Sequence, residues 1–150
     1  MKITIVTATW NSGATLRHTM RSVLSQSYPN IEHIIVDGGS TDNTMEIVHE
    51  LEPEYQGCLR YISEKDKGIY DAMNKGIAMS TGNIVGILNS DDFYTSDSVL
   101  STVVSAFEDG NIDAVYGDIH YVQDNDLQKC TRYYSCLLYT SPSPRDISGS

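Results

Sequence analysis

The sequence predicts an α/β protein with a three-layer, doubly wound, mainly parallel sheet, and three features of the chain lead there. Short β-branched runs alternate with amphipathic helical stretches along most of its length. Polar and glycine residues gather after each strand: Thr7 to Asn11, Asp37 to Asp42, Glu64 to Gly68, Asn89 to Asp92 and Gly117-Asp118. One continuous apolar run, Ile84 to Leu88, reads as a fully buried strand in the middle of a parallel sheet.

Ile3 to Val6 forms the first strand, and Leu16, Met20, Val23 and Leu24 share one face of the helix after it, with Asn11 or Ser12 as cap. Tyr28-Pro29-Asn30 breaks that helix. Glu32 to Val36 is the second strand, and Gly38-Gly39 after it permits a tight turn and close approach to a ligand. Thr41 or Asp42 caps a helix carrying Thr44, Ile47, Val48 and Leu51, closed by Pro53. Leu59 to Ser63 is the third strand. The next helix, Ile69 to about Met79, turns Ile69, Ala72, Met73, Gly76 and Ile77 inward and stops at Ser80-Thr81-Gly82. After the central strand, Ser96 or Asp97 caps a helix with Val99, Leu100, Val103, Val104 and Phe107 inward. Asp113 to Val122 is a fifth strand, interrupted at Gly117-Asp118.

One hundred and fifty residues suit one domain, and 40% apolar with 20% charged residues is ordinary for a globular protein. A formal net charge of -10 argues against nucleic acid or an anionic membrane as partner. A phosphorylated ligand would then need a metal, a helix N-terminus or a few local cations. No apolar run approaches a membrane span, and MKITIVTAT does not read as a signal peptide. Cys58, Cys130 and Cys136 show no paired spacing, and His18, His33, His49 and His120 no zinc spacing. The expected setting is cytoplasmic, compatible with a peripheral place on the inner membrane face in a full-length protein.

In an open α/β sheet the loops after the strands share one edge, where ligands bind. Asp37 and Asp92 are therefore expected near one another. Asp91 and Asp92 follow the apolar run directly; neighbours on extended chain point to opposite sides, so one carboxylate suits a divalent metal and the other a sugar hydroxyl. The plainer alternative is a turn and helix cap. Trp10 packs either beside a ligand or in the core, and Tyr116, Tyr121, Tyr133 and Tyr134 either platform a sugar or merely suit strands. His120 with Asp118 either touches the site or decorates an edge strand. The first turn lacks the glycines of a dinucleotide fingerprint, and no phosphate-binding P-loop is present.

Four blocks in order, TIVTATWN, SVLSQSYPNIEHIIVDGGSTDNT, SEKDKGIYDAMNKGIAMSTGNIVGILN and SDDFY, resemble the family 2 glycosyltransferases of the GT-A fold over about residues 1 to 135. The likeness is strongest to bacterial members that build polysaccharide or glycolipid. It implies a Rossmann-like nucleotide-diphospho-sugar transferase fold, a nucleotide-diphosphate-sugar donor, a Mg or Mn ion, a saccharide or lipid-linked acceptor, and inversion at the anomeric carbon. By the same resemblance Thr7, Ala8 and Asn11 meet the nucleotide, and Asp37 matches the first Asp of VDDGS. Lys67, Asn74 and Asp66 lie near base or ribose, Asp91 on the ribose side, and Asp92 on the metal. Gly38 stands where the family has a second Asp that often reads the pyrimidine, which leaves the base open.

Catalytic base and acceptor half lie past the acidic motif in this family, so the catalytic residue is unknown and residues 1–135 read as a donor-binding half, truncated and inactive alone. Residues 136–150 switch to Ser and Pro without a period and read as a non-native or disordered tail. The rival reading is a catalytically silent nucleotide-sugar binding or interaction module.

Overall fold

The computed structural model describes residues 1–109, together with the backbone of short strands within residues 114–141. The chain divides into two compact units, Met1–Ser101 and Thr102–Ser150. In the first unit the strands β1 (Ile3–Thr9), β2 (Ile31–Asp37), β3 (Leu59–Ser63) and β4 (Ile84–Ile87) form a parallel sheet in the order β3-β2-β1-β4. Helices α1 (Leu16–Leu24), α2 (Thr44–Leu51) and α3 (Ile69–Met79) make the crossovers, and α4 (Val99–Glu108) follows β4. This is the expected doubly wound α/β arrangement.

Side chains alternate across a strand, and the two sheet faces are covered differently. Ala8, Ile34, Val36 and Ala72 cluster under α3, with Ile62, Met73 and Met79 packed against them. A Cβ on Gly76 would lie 2.3 Å from a methyl of Val6, so the absence of a side chain lets α3 sit directly on β1. On the other face His33 lies beneath the junction of α1 and α2 and is fully buried. Tyr55, in the 3-10 turn after α2, donates its hydroxyl to the Met20 carbonyl of α1 at 3.1 Å. Its oxygen must then accept from His33 Nδ1–H at 2.8 Å, which leaves Nε2 to accept from the Thr7 hydroxyl at 2.8 Å.

Some expectations need correction. The run Ile84 to Leu88 is not the central strand: β4 ends the order of the described sheet, and Val85 is 40% exposed. β1 is buried throughout and β2 from Glu32 on, and β1 runs on to Thr9 rather than stopping at Val6. Ile69 and Ile77 do not face inward from α3 (48% and 46% exposed), because Ala72 and Gly76 occupy the buried stripe. Neither Asn11 nor Ser12 caps α1 with its side chain: Thr15 is the cap residue, and the Ser12 carbonyl accepts from Thr15 and Leu16. Asn43 precedes α2, while Asp42 Oδ1 accepts from Thr44 N–H at 3.0 Å.

The second unit contains β5 (Ala114–Val115), β6 (Ile119–Gln123), β7 (Asp126–Tyr134) and β8 (Thr140–Ser141). β6 pairs antiparallel with β7, and β5 with β8. The single strand expected over Asp113 to Val122 is thus two strands joined to antiparallel partners. The side chains of His120, Asp118, Cys130, Cys136 and the four late tyrosines lie outside the described residues, as does most of 136–150. Among the described residues no helix is long and apolar enough to cross a membrane.

At the end of β2 the Asp37 carboxylate is wholly buried. Oδ2 accepts from Gly39 N–H (3.1 Å), Ser40 N–H (2.9 Å) and Ser63 Oγ (2.7 Å), and Oδ1 accepts from Ser40 Oγ. Gly39 has φ +90°, a left-handed conformation in which a side chain would be strained. Replacing Asp37 with Ala removes the acceptor of two backbone N–H groups and two hydroxyls from a fully buried position, so Asp37→Ala is expected to lower unfolding stability by about 2–4 kcal/mol in urea titration. His33 supplies a second prediction. Burial pushes its pKa from 6.5 down to about 3, so folded protein binds fewer protons than unfolded chain across that interval. Its contribution is fully present above pH 6.5 and is lost as pH falls towards 3, at about 1.4 kcal/mol per pH unit. His33→Gln should flatten the fall in urea midpoint between pH 6.5 and pH 4 relative to the parent, whatever it does to stability at pH 8.

Candidate functional site

The direction of strand order reverses at β1, with β2 on one side and β4 on the other, and ligands of open α/β sheets bind outside the carboxyl ends at such a point. Register brings the pieces there. Thr9 pairs with Asp37, Asp37 with Ser63, and Leu88 N–H donates to the Val6 carbonyl, so Asn89 emerges beside the end of β1. The result is a crevice of about 660 Å³, within the usual range for a small-molecule site. Ala8, Thr9 and Trp10 line it from β1, Gly38 and Asp66 from the β2 and β3 loops, and Asn89, Ser90 and Asp91 from the acidic loop.

Two ties hold this rim. The loops after β1 and β2 are laced to each other: Asn11 Oδ1 accepts from Thr41 N–H at 2.8 Å, Asp42 Oδ2 accepts from Gly13 N–H at 3.0 Å, and Ser12 N–H donates to Thr44 Oγ1 at 2.9 Å. Hydroxyls of α1 hold the acidic loop. Thr15 and Thr19 donate to the Ser90 carbonyl at 2.8 and 3.0 Å, and Thr19 reaches the Asp92 carbonyl at 2.6 Å. Gln26 adds a further brace, taking Leu100 N–H at 3.0 Å and giving its amide to the Ser96 carbonyl at 2.6 Å.

Of the nine residues expected to bind donor or metal, Ala8, Asp66 and Asp91 line the crevice. Thr7 does not: it belongs to the buried strand and spends its hydroxyl on His33. Asp37 supports the rim from below, its oxygens turned to the Gly39-Ser40 turn and Ser63. Asn11 is exposed, but its carbonyl oxygen faces the neighbouring loop. Lys67 and Asn74 are exposed and lie off the crevice wall, as does Asp92, one residue beyond it. Trp10, expected beside a ligand or in the core, lines it, and Thr9, Ser12, Lys65, Gly68, Asn89 and Ser90 do so without having been singled out as ligands. Most lie in the polar clusters after the strands, so the loops were readable while the individual inward atoms were not. Trp10 is 64% exposed, which excludes the core-packing alternative.

Two buried polar atoms among the described residues lack a partner, Thr9 Oγ1 and Asn89 Oδ1, and both residues line this crevice. Buried polar groups are ordinarily satisfied. The Asp92 carboxyl is held above the usual range, first by desolvation and then by the charge of Asp91, against a lowering hydrogen bond from the Asn89 side chain. A cation would relieve that repulsion. Among the described residues no group of three or more His, Cys, Asp or Glu side chains converges to hold a metal. The Asp91-Asp92 pair fits a hard divalent ion only as part of a shell, with phosphate oxygens and water completing it.

Comparison with known proteins identifies the scaffold. The profile of Glycosyl transferase family 2 matches residues 4–141. An uncharacterized glycosyltransferase of Nostoc sp. is 30% identical over 126 residues, covering 84% of this chain and 39% of that protein. A PGL/p-HBAD biosynthesis glycosyltransferase of Mycobacterium bovis is 34% identical over 116 residues, covering 77% and 45%. The chain thus spans less than half the length of these relatives. Among solved structures, S. aureus TarS in complex with UDP-GlcNAc superposes with a TM-score of 0.68 at 23% identity, over 75% of this chain and 33% of that one. The mannosyltransferase PcManGT of Pyrobaculum calidifontis, with GDP-Man and Mn2+, gives 0.72 at 22% identity, over 80% and 36%. At such identity the structures establish the fold, and the sequence matches establish the lineage: the chain belongs to glycosyl transferase family 2.

Proposed function

We propose that the crevice binds a nucleotide-diphosphate sugar and that the protein transfers the sugar, with inversion, to a saccharide or lipid-linked acceptor in polysaccharide or glycolipid synthesis. The observation that carries this is the crevice itself: its acidic loop stands across the carboxyl ends of the strands from the Gly38 and Asp66 wall, and two of its lining residues, Thr9 and Asn89, carry buried oxygens without a partner. Complexes of fold relatives with UDP-GlcNAc and with GDP-Man and Mn2+ support a nucleotide-sugar ligand and a divalent ion.

In this reading Asp92 is the metal ligand and Asp91 orients the ribose. Bound Mg or Mn would neutralise the charge that gathers on the departing pyrophosphate. Lys65 and the exposed Trp10 are placed to meet the nucleotide. Thr15 and Thr19 act at one remove, by fixing the carbonyls of the acidic loop and so the direction of both carboxylates. Deprotonation of the acceptor needs a separate base on the opposite face of the sugar, a role assigned here to no residue of 1–109.

The test is titration of UDP and GDP with and without Mn by calorimetry. Asp92→Ala should abolish the manganese-dependent part of nucleotide binding with little change in thermal midpoint; equal affinity in mutant and parent would sink the metal assignment. Thr19→Val removes one hydroxyl at nearly constant volume. It should cost about 1–3 kcal/mol of stability, because loop carbonyls lose their donor, and should weaken manganese-dependent binding although Thr19 touches no ligand. Unchanged binding in Thr19→Val would show that the acidic loop holds its shape without α1.

A further inference from the structure

Trp10 lines the crevice with little to hold its side chain. It is mostly exposed, and among the described residues its indole makes no hydrogen bond and no ring contact. The direction in which it leaves the chain is therefore set by the backbone around it. Asn11, the next residue, has φ +47° and is one of two non-glycine residues in the left-handed region among those described. Asparagine tolerates that region better than most side chains, and alanine tolerates it poorly. Here Asn11 is also tied through both backbone and side chain. Its N–H donates to Ser40 Oγ at 2.7 Å, and Ser40 Oγ in turn donates to the buried Asp37 carboxylate. Its Oδ1 accepts from Thr41 N–H at 2.8 Å and, more weakly, from Asp42 N–H at 3.4 Å. On the other side of Trp10's peptide unit, Ser12 Oγ donates to the Trp10 carbonyl at 3.2 Å. With its single proton given there, Ser12 Oγ accepts from Ser90 Oγ of the acidic loop at 2.8 Å. Asn11 itself does not line the crevice.

We infer that Asn11 is a positioning residue: it touches no ligand, and by holding a left-handed turn against the loop after β2 it fixes Trp10 at the crevice before anything binds. This rests on the reading above in which Trp10 meets the nucleotide. The side chain suits the task for two reasons. It accepts the positive φ, and its carbonyl oxygen is spent on the Thr41 and Asp42 amides, so the turn is locked to its neighbour rather than merely permitted. The line of contacts runs from the Asp37 carboxylate through Ser40 to Asn11, and so from a buried anchor to an exposed ring. A large side chain ordered in advance gives more of its contact to affinity, because binding no longer has to immobilise it.

Trp10 is the single tryptophan of the chain, so its fluorescence reports on this residue alone. The measurements are nanosecond anisotropy decay of the full chain without ligand, and calorimetric titration of UDP and GDP, each with manganese. In Asn11→Ala, which loses the acceptor and strains the turn, the fast component of the decay should grow and nucleotide affinity should fall about two- to tenfold. Asn11→Gly accepts the same φ and lacks only the side-chain tie. It should show the same loosening, and it stands in for the alanine variant if that one fails to fold. Asn11→Asp keeps an acceptor and tolerates the turn, and should recover most of both readouts. A double-mutant cycle separates positioning from general support: in a Trp10→Ala background, Asn11→Ala should change nucleotide affinity by no more than about twofold. A decay unchanged in Asn11→Ala and Asn11→Gly, or an equal loss of affinity with and without Trp10, overturns the inference. A parent that binds neither nucleotide overturns the nucleotide-sugar reading, while the ligand-free decay still decides whether Asn11 holds Trp10.

Discussion

The buried carboxylate of Asp37 is the constraint on which the rim depends. It ends β2, gathers the Gly39 and Ser40 amides and the Ser63 hydroxyl, and so fixes the turn after β2 against the end of β3. A carboxyl group buried in that position is tolerable only because each oxygen is hydrogen-bonded. The Glu64 amide donates to the Asp37 carbonyl at 3.0 Å, which sets the course of the third loop. From there Asp66 arrives over Gly38, and a Cβ on Gly39 would stand 3.7 Å from the Lys65 backbone. Moving Asp37 would move that wall.

The opposite wall is built by a different device. The acidic loop is held by side-chain hydroxyls of α1 that bind its carbonyls, leaving its carboxylates unencumbered by cations. Ion pairs are placed elsewhere. Lys2 and Arg60 meet Glu32 at 3.6 and 3.4 Å near the N-terminal end of the strands, and Arg21 meets Glu54 at 3.7 Å below α1 and α2. Glu32 is the one among these that organises structure, since its buried Oε1 also takes the hydroxyls of Thr4 and Thr81 and the Thr81 amide. Among the described residues no ion pair engages Asp91 or Asp92. In the proposed reading, a hard cation and its phosphates would meet no resident ion-pair partner there among the described residues.

Alternation of β-branched runs and amphipathic helices was legible because burial imposes a period on the chain, and it placed β1 to β4 and α1 to α4 within a few residues. The clustering of polar residues after each strand located the crevice, because parallel topology sends all those loops to one edge. The sequence alone also carried the family, through blocks whose joint order few other folds share. What it could not assign was the direction of each side chain. Thr7, Asn11 and Asp37 are polar residues at strand ends and look alike in sequence to Thr9, Asn89 and Asp91. Register decides between them: β1 continues to Thr9, so Thr7 falls inside the sheet and meets His33. The order β3-β2-β1-β4 likewise decided that the apolar run of β4 lies at the end of the described sheet rather than at its centre. Hydrophobicity reports that a residue is buried, but only tertiary packing determines against which partner, and that partner is what frees or consumes each polar atom at the site.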